Sequence, residues 1–201
     1  MAQKVLLLDN PSFEHDGSGG AGIVPEGWLN LGAEDQTPPD IQPGFFGVTM
    51  SAQHGHTYLG LVVRKTGTWE GVGQKLHGYL KKGSAYSFSL WLTRSNSFKS
   101  AVLGDPETVD SNNPIKFKNQ DFNNSTVLKI WGYNTQTRQE ELLAESQPVS
   151  HSKWVRYEFE LKPTLDDFDE LDLMAYYAPG AEKKNGNLLI DNCSAIVKIE
   201  K

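Results

Sequence analysis

Cysteine is nearly absent: Cys193 stands alone in 201 residues, which excludes an internal disulfide. That poverty fits a reduced compartment, and it equally fits a secreted domain large enough to fold without covalent staples. Positive charge is also short, with 19 Lys and Arg against 25 Asp and Glu and a net charge of −6. A nucleic-acid-binding surface normally carries a basic excess or stripe, so that class is disfavoured. No apolar run approaches the roughly 20 residues that a membrane-spanning helix requires. Helical periodicity is missing as well, and with it any glycine-rich phosphate loop opening a helix. The opening "MAQKVLLL" is too short for a secretory leader and reads as the start of a mature domain.

What the chain does have is period-two alternation. In "AYSFSLWL" Tyr86, Phe88, Leu90 and Leu92 share one face, while Ser87, Ser89 and Trp91 share the other. "WVRYEFEL" places Val155, Tyr157, Phe159 and Leu161 inward, and "TVLKIWGY" sets Leu128 and Ile130 against Lys129, Trp131 and Tyr133. Similar strands are expected in "GFFGVTM", "TYLGLVVR", "GVGQKLHGYL", "EELLAES", "LDLMAYY" and "NLLIDNCSAIVKI", separated by turns such as "KTG", "KKGS" and "PGAEKKNGN". About ten short strands with polar turns describe a single all-β domain over 1–201, an antiparallel β-sandwich. Two stretches stand outside the pattern. Residues 15–44, rich in Gly, Pro and acids, read as an ordered irregular loop, and 95–125 as a long, strandless one. Loops of that length are usually functional.

The two ends of the chain pose one question. "NPSFE" puts Glu14 directly after an apolar Phe13, and Asp191 interrupts the apolar run of the last strand. First and last strands of a closed sandwich often adjoin, so the two carboxylates can meet, and they repel unless a cation or hydrogen-bond donors lie between them. Calcium, a hard ion taking six to eight oxygens, suits carboxylates supplemented by main-chain carbonyls. A strand-end hydrogen-bond network satisfies the same residues without metal.

The order and spacing of "NPSFE", "GWLNLG", "TYLGLVVR", "WEGVGQKL", "KKGSAYSFSLWLTRS" and "NLLIDN" resemble a carbohydrate-binding-module jelly roll. "TPPDIQPG" and "LKIWGYN…ELLAES" make the chain similar to the galactose-binding-like domains of secreted and surface proteins of Bacteroidota. The similarity runs from about residue 5 to the end. It implies a non-catalytic module of a larger extracellular or cell-surface protein. It also implies a structural Ca2+ on Glu14 and Asp191, with Ser12 as a carbonyl donor.

A ligand surface is read from phase. Trp91 and Trp131 point away from their strands' apolar faces, with Lys129 and Tyr133 beside Trp131, Arg94 near Trp91, and Tyr176 joining from "LMAYY". Exposed aromatic rings among polar groups suit a polysaccharide, whose sugars stack flat C–H faces on indoles. The same phase also fits tryptophans packed beneath the 95–125 loop. Trp154 reads as a lone outward residue, and Trp28 and Trp69 as packing loops onto the sandwich. His54 and His56 in "HGH" read as a polar turn, "LDDFDELD" as a solvated turn, and Cys193 as buried and inert. The leading expectation is a non-enzymatic glycan-binding module. The alternative is a protein-interaction or structural module contacting other cell-envelope proteins, and a hydrolase or lyase ranks behind both.

Overall fold

The computed structural model describes residues 5–16, 18–33, 36, 38–103 and 117–200. Among them the chain forms fourteen strands and no helix. They are β1 (Val5–Leu6), β2 (Leu29–Asn30), β3 (Asp40–Gln42), β4 (Tyr58–Val63), β5 (Gly71–Leu80), β6 (Tyr86–Thr93) and β7 (Lys99–Leu103). There follow β8 (Phe117–Asp121), β9 (Thr126–Tyr133), β10 (Glu140–Glu145), β11 (Val155–Leu161), β12 (Phe168–Tyr177), β13 (Gly186–Asp191) and β14 (Ile196–Lys198).

Two antiparallel sheets face each other. A seven-stranded sheet runs β1-β14-β6-β13-β4-β3, with β11 also paired to β6; a five-stranded sheet runs β10-β9-β12-β5-β2. The expected alternation builds the layer between them. Phe88, Leu90 and Leu92 from one sheet meet Leu128, Ile130, Leu171 and Leu173 from the other, all buried. Burying such side chains away from water, at about 1.5–3 kcal/mol each, is the main force holding the sandwich shut. Cys193 is buried in this core, and burial pushes its thiol well above the ordinary range.

Five expectations about the strands need correction, the first being 15–44, expected as an irregular loop, which carries β2 and β3 paired to β5 and β4. "GFFGVTM" is a turn, with left-handed backbone at Gly44, Phe46 and Gly47. The 95–125 stretch is not strandless, because β7 and β8 pair as a hairpin; its residues 104–116 lie outside those described. β11 keeps the expected phase, yet as an edge strand it leaves Val155 42% exposed and only Leu161 fully buried. "LDDFDELD" is a turn only in its first half, because β12 begins at Phe168.

Outside the seven-stranded sheet lies a second apolar cluster. Tyr58, Val62 and Leu189 turn outward from it and are covered by Val48, Phe98 and Phe122, with Phe46 and Trp154 packed alongside. Trp154 is therefore no lone outward residue. Its ring meets Tyr58 edge-on at 5.2 Å and its Nε1 donates to the Ser51 carbonyl at 3.0 Å.

Candidate binding groove

Among the described residues the outer face of the five-stranded sheet has no such cover. β12 is its central strand, paired with β9 on one side and β5 on the other. Its inward residues are Leu171, Leu173 and Ala175, so Glu170, Asp172, Met174 and Tyr176 face out. In register beside them β9 presents Tyr133 against Glu170, Trp131 against Asp172, and Lys129 against Met174. On the other side β5 presents Lys75 against Glu170, Gly73 against Asp172 and Gly71 against Met174. The two glycines leave the floor bare. The β9 and β12 residues named here, with Leu31, Trp69 and Glu140, line an open groove of about 660 Å³, within the usual size of a small-ligand site.

The aromatic wall is fixed by contacts. Trp69 meets Tyr176 edge-on at 4.8 Å, and Tyr176 meets Tyr177 at 5.5 Å. Lys129 Nζ sits 4.1 Å from the centre of the Tyr176 ring and 3.6 Å from the Glu145 carboxylate. Opposite lies the acid side. Burial, then the charges of Glu170 and Glu140, push Asp172 up to about 8, and burial also raises Glu170. Asp172 Oδ1 is buried with no hydrogen-bond partner among the described residues.

Of the residues read as a ligand surface, Trp131, Lys129, Tyr133 and Tyr176 are brought together here. Trp91 and Arg94 are not. Trp91 lies in β6 of the opposite sheet, in register with Arg156 and Asp191. Arg94 is spent on backbone, donating Nε to the Ser150 carbonyl at 2.8 Å and Nη1 to that of Asn123. Alternation says only that Trp91 and Trp131 both point outward; it cannot say that they do so from different sheets. Trp69 was expected among loop-packing residues and stands in the groove instead, whereas Trp28 does pack a loop, 5.1 Å from Phe13. Glu170 and Asp172, expected in the solvated turn "LDDFDELD", stand on β12 in the groove instead, and Glu140 went unread. Counting back by twos from Tyr176 reaches Met174, Asp172 and Glu170, but a bulge between Phe168 and Glu170 breaks the period where the strand begins.

At one end of the sandwich the chain termini adjoin as expected, with β1 paired to β14. Beyond them the Asn10–Glu14 turn meets the turn after β13, where the Cys193 amide donates to the Pro11 carbonyl at 2.8 Å. Asn10 closes its own turn, its Oδ1 accepting from the Glu14 amide at 2.7 Å and its Nδ2 donating to the Glu14 carbonyl at 3.0 Å. The "HGH" loop lies against both carboxylates. Gln53 and His54 amides donate to Asp191 Oδ2 at 2.8 and 2.9 Å, and the His56 amide donates to both Glu14 oxygens at 3.0 and 3.2 Å. Ser12 Oγ meets His54 Nδ1 at 3.0 Å. Asp191 is wholly buried, and burial lifts it to about 6 against the pull of three backbone amides, with the Glu14 charge adding to the rise. Glu14, Ser12 and Asp191 thus share one end of the fold. Among the described residues no three His, Cys, Asp or Glu side chains converge to hold a metal.

No family model matches the chain, and no curated protein matches it in sequence. Solved structures do. A cyclase from Fischerella sp. TAU superimposes with a TM-score of 0.56 at 13% identity, over 97% of this chain and 96% of that one. The CBM22-1–GH10 modules of Clostridium thermocellum xylanase 10B, complexed with xylohexaose, give 0.51 at 14% identity over 99% of this chain. The fold is a jelly-roll β-sandwich. This chain spans 29% of that xylanase chain. At such identities the likeness establishes the jelly roll and leaves function to the site.

Proposed function

We propose that the groove on the five-stranded sheet binds a glycan chain. On this reading the protein is a non-catalytic carbohydrate-binding module of a larger secreted or cell-surface protein, of the kind resembled in Bacteroidota. The observation that carries it is the convergence of Trp131, Tyr133, Tyr176, Lys129, Glu140, Glu170 and Asp172 on strands, with Trp69 joining from the segment before β5. The rings supply flat apolar surface for sugar C–H faces, and the polar groups supply donors and acceptors for hydroxyls. Groups held by strands keep their geometry without the ordering cost that mobile side chains incur on binding.

Affinity electrophoresis and calorimetry against xylan, mannan, mixed-linkage glucan and polygalacturonate test it. Retention on at least one, lost in Trp131→Ala with the melting transition kept, is the expected outcome. Failure to bind any, with capture of an envelope protein instead, moves the reading to an interaction module.

We further infer a structural calcium at the sandwich end. Glu14 and Asp191 are hard oxygen donors whose like charges act on one another, a repulsion that a divalent cation relieves. The carbonyls of Asn10, Pro11, Phe13 and Glu14 accept hydrogen bonds from the Trp28 indole, the Cys193 amide, the Thr57 hydroxyl and the Asn10 side chain respectively. Among the described residues the carbonyl left for a cation in this turn is that of Ser12. Binding to the native state alone adds about 2.7 kcal/mol at a hundredfold excess over Kd. Chelator should therefore lower the melting temperature by several degrees and Asp191→Asn should remove the response; an unchanged melt in chelator refutes the metal.

A further inference from the structure

We propose that the groove is selective for uncharged glycans because Glu170 and Asp172 hold one proton between them over the bare backbone of Gly73. This deepens the glycan reading and rests on it.

The geometry comes from three elements. Glu170 and Asp172 stand two residues apart on the outward face of β12, so their side chains lie side by side. A Cβ placed on Gly73, across in β5, would lie 2.7 Å from Asp172 Oδ1 and 3.3 Å from Glu170 Oε1. Two carboxyl oxygens therefore crowd the same spot, one of them the buried Asp172 Oδ1 without a partner. Glu140 lines the same groove from β10. The cations nearby do not offset this. Lys75 is register-opposite Glu170 but exposed, and Lys129 is engaged with Glu145 and the Tyr176 ring. Tyr133, also opposite Glu170, and Asp169, the next residue in β12, complete the titratable neighbours.

Two carboxylates this close cannot both ionise cheaply, so the pair retains one proton well above the ordinary carboxylate range. Burial and the neighbouring acids push Asp172 in the same direction. At neutral pH the floor then offers one O–H donor beside one carboxylate acceptor. A neutral sugar matches both through its ring oxygen and hydroxyls. A uronate or sulfate brings a third negative charge to Glu140 and the pair; among the described residues Lys129 is engaged and Lys75 stands outside the groove lining, so that charge is rejected. Losing the proton removes the donor and adds charge.

The test uses the full chain and two readouts. Side-chain carboxyl carbon NMR on ligand-free protein should find a carboxyl titrating far above the usual range, absent in Asp172→Asn. Calorimetry with the neutral glycan best retained in the panel above should find affinity falling about tenfold per pH unit once the proton leaves. In Asp172→Asn, which keeps a donor without a titrating proton, the pH profile of whatever binding remains should be flat. Polygalacturonate and heparin should bind at least about a hundredfold more weakly than the neutral glycan, a difference of some 2.8 kcal/mol. Circular dichroism melts at each pH keep folding apart from binding. If both carboxyls titrate in the ordinary range, or neutral binding is flat in wild type, or anionic glycans bind equally, the proton-sharing pair is wrong while the glycan groove stands. If the high-titrating carboxyl is present and no glycan binds at any pH, it is the glycan reading that falls, and the selectivity with it.

Discussion

The two outer faces of this sandwich are built from the same alternating strands and end up opposite in character. On the seven-stranded sheet outward Tyr58, Val62 and Leu189 are roofed by Val48, Phe98 and Phe122, outward Asn187 and Asp191 are hydrogen-bonded by neighbouring loops, and both strands are buried along their whole length. On the five-stranded sheet the outward residues lining the groove from β9 and β12 are aromatic or charged apart from Met174, and half-buried apart from Glu170. The lesson is that a sheet face needs a lid when its outward residues are apolar and needs none when they carry their own polarity. Among the described residues one face became a second core, and the other stayed open.

That contrast can be broken most sharply by truncating one aromatic from each face. Phe122→Ala, from the roof, should cost about 3–5 kcal/mol. Trp131→Ala, from the groove, should cost about 1 kcal/mol or less while abolishing glycan retention. Urea denaturation of both variants checks this, and equal losses would mean the groove is part of the core.

Next in size come two glycines. Gly55 has φ +67°, and a Cβ there would lie 1.8 Å from Glu14 Oε1. Gly55→Ala should therefore destabilise by about 1–3 kcal/mol, as strained backbone does. Gly73→Ala would first meet the movable ends of Asp172, Leu31 and Glu170. It should keep the fold within about 1 kcal/mol and weaken binding. A destabilisation of Gly73→Ala matching that of Gly55→Ala would show that the floor is as tightly packed as the sandwich end.

A smaller effect is electrostatic. Asp172 is raised to about 8 and Asp40 to about 6, both chiefly by burial. An acid whose native pKa lies above its unfolded value binds its proton more tightly when folded, so its stabilisation is full at low pH and is lost as pH rises through the native pKa. Between pH 6 and 9 wild type should lose about 1–2 kcal/mol from this source, and Asp172→Asn should lose less. Melting at both pH values measures it; a variant that loses as much as wild type would show that Asp172 does not hold the proton. Smallest of all, Glu158→Ala and Glu160→Ala on edge strand β11 should each stay within about 0.5 kcal/mol. Their partners Arg156 and Lys162 are largely exposed and their ion pairs screened. A larger loss would mean that β11 is covered by something beyond the sheet.

Much of this was legible beforehand where a residue's role is set by its strand neighbours. Phe88, Leu90, Leu128 and Ile130 are core because a strand alternates, and nothing distant can change that phase. The adjoining chain ends and the placing of Glu14 near Asp191 followed from closure of the sandwich. Half of the groove was legible too, since Lys129, Trp131 and Tyr133 lie on one strand and share one face.

Only the tertiary structure decided which sheet each strand joins. That choice sent Trp91 and Trp131 to opposite sides of the molecule although their local phase is identical. It gave the "HGH" loop its task through backbone amides, which no side-chain pattern encodes. It set Trp69, Glu140 and Asp172 around one groove from three separate strands or loops. Sequence periodicity fixes the direction in which a side chain points because that depends on backbone geometry alone. What the side chain then meets depends on contacts between residues far apart in the chain, such as Asp172 over Gly73, and those exist only once the sheets have formed.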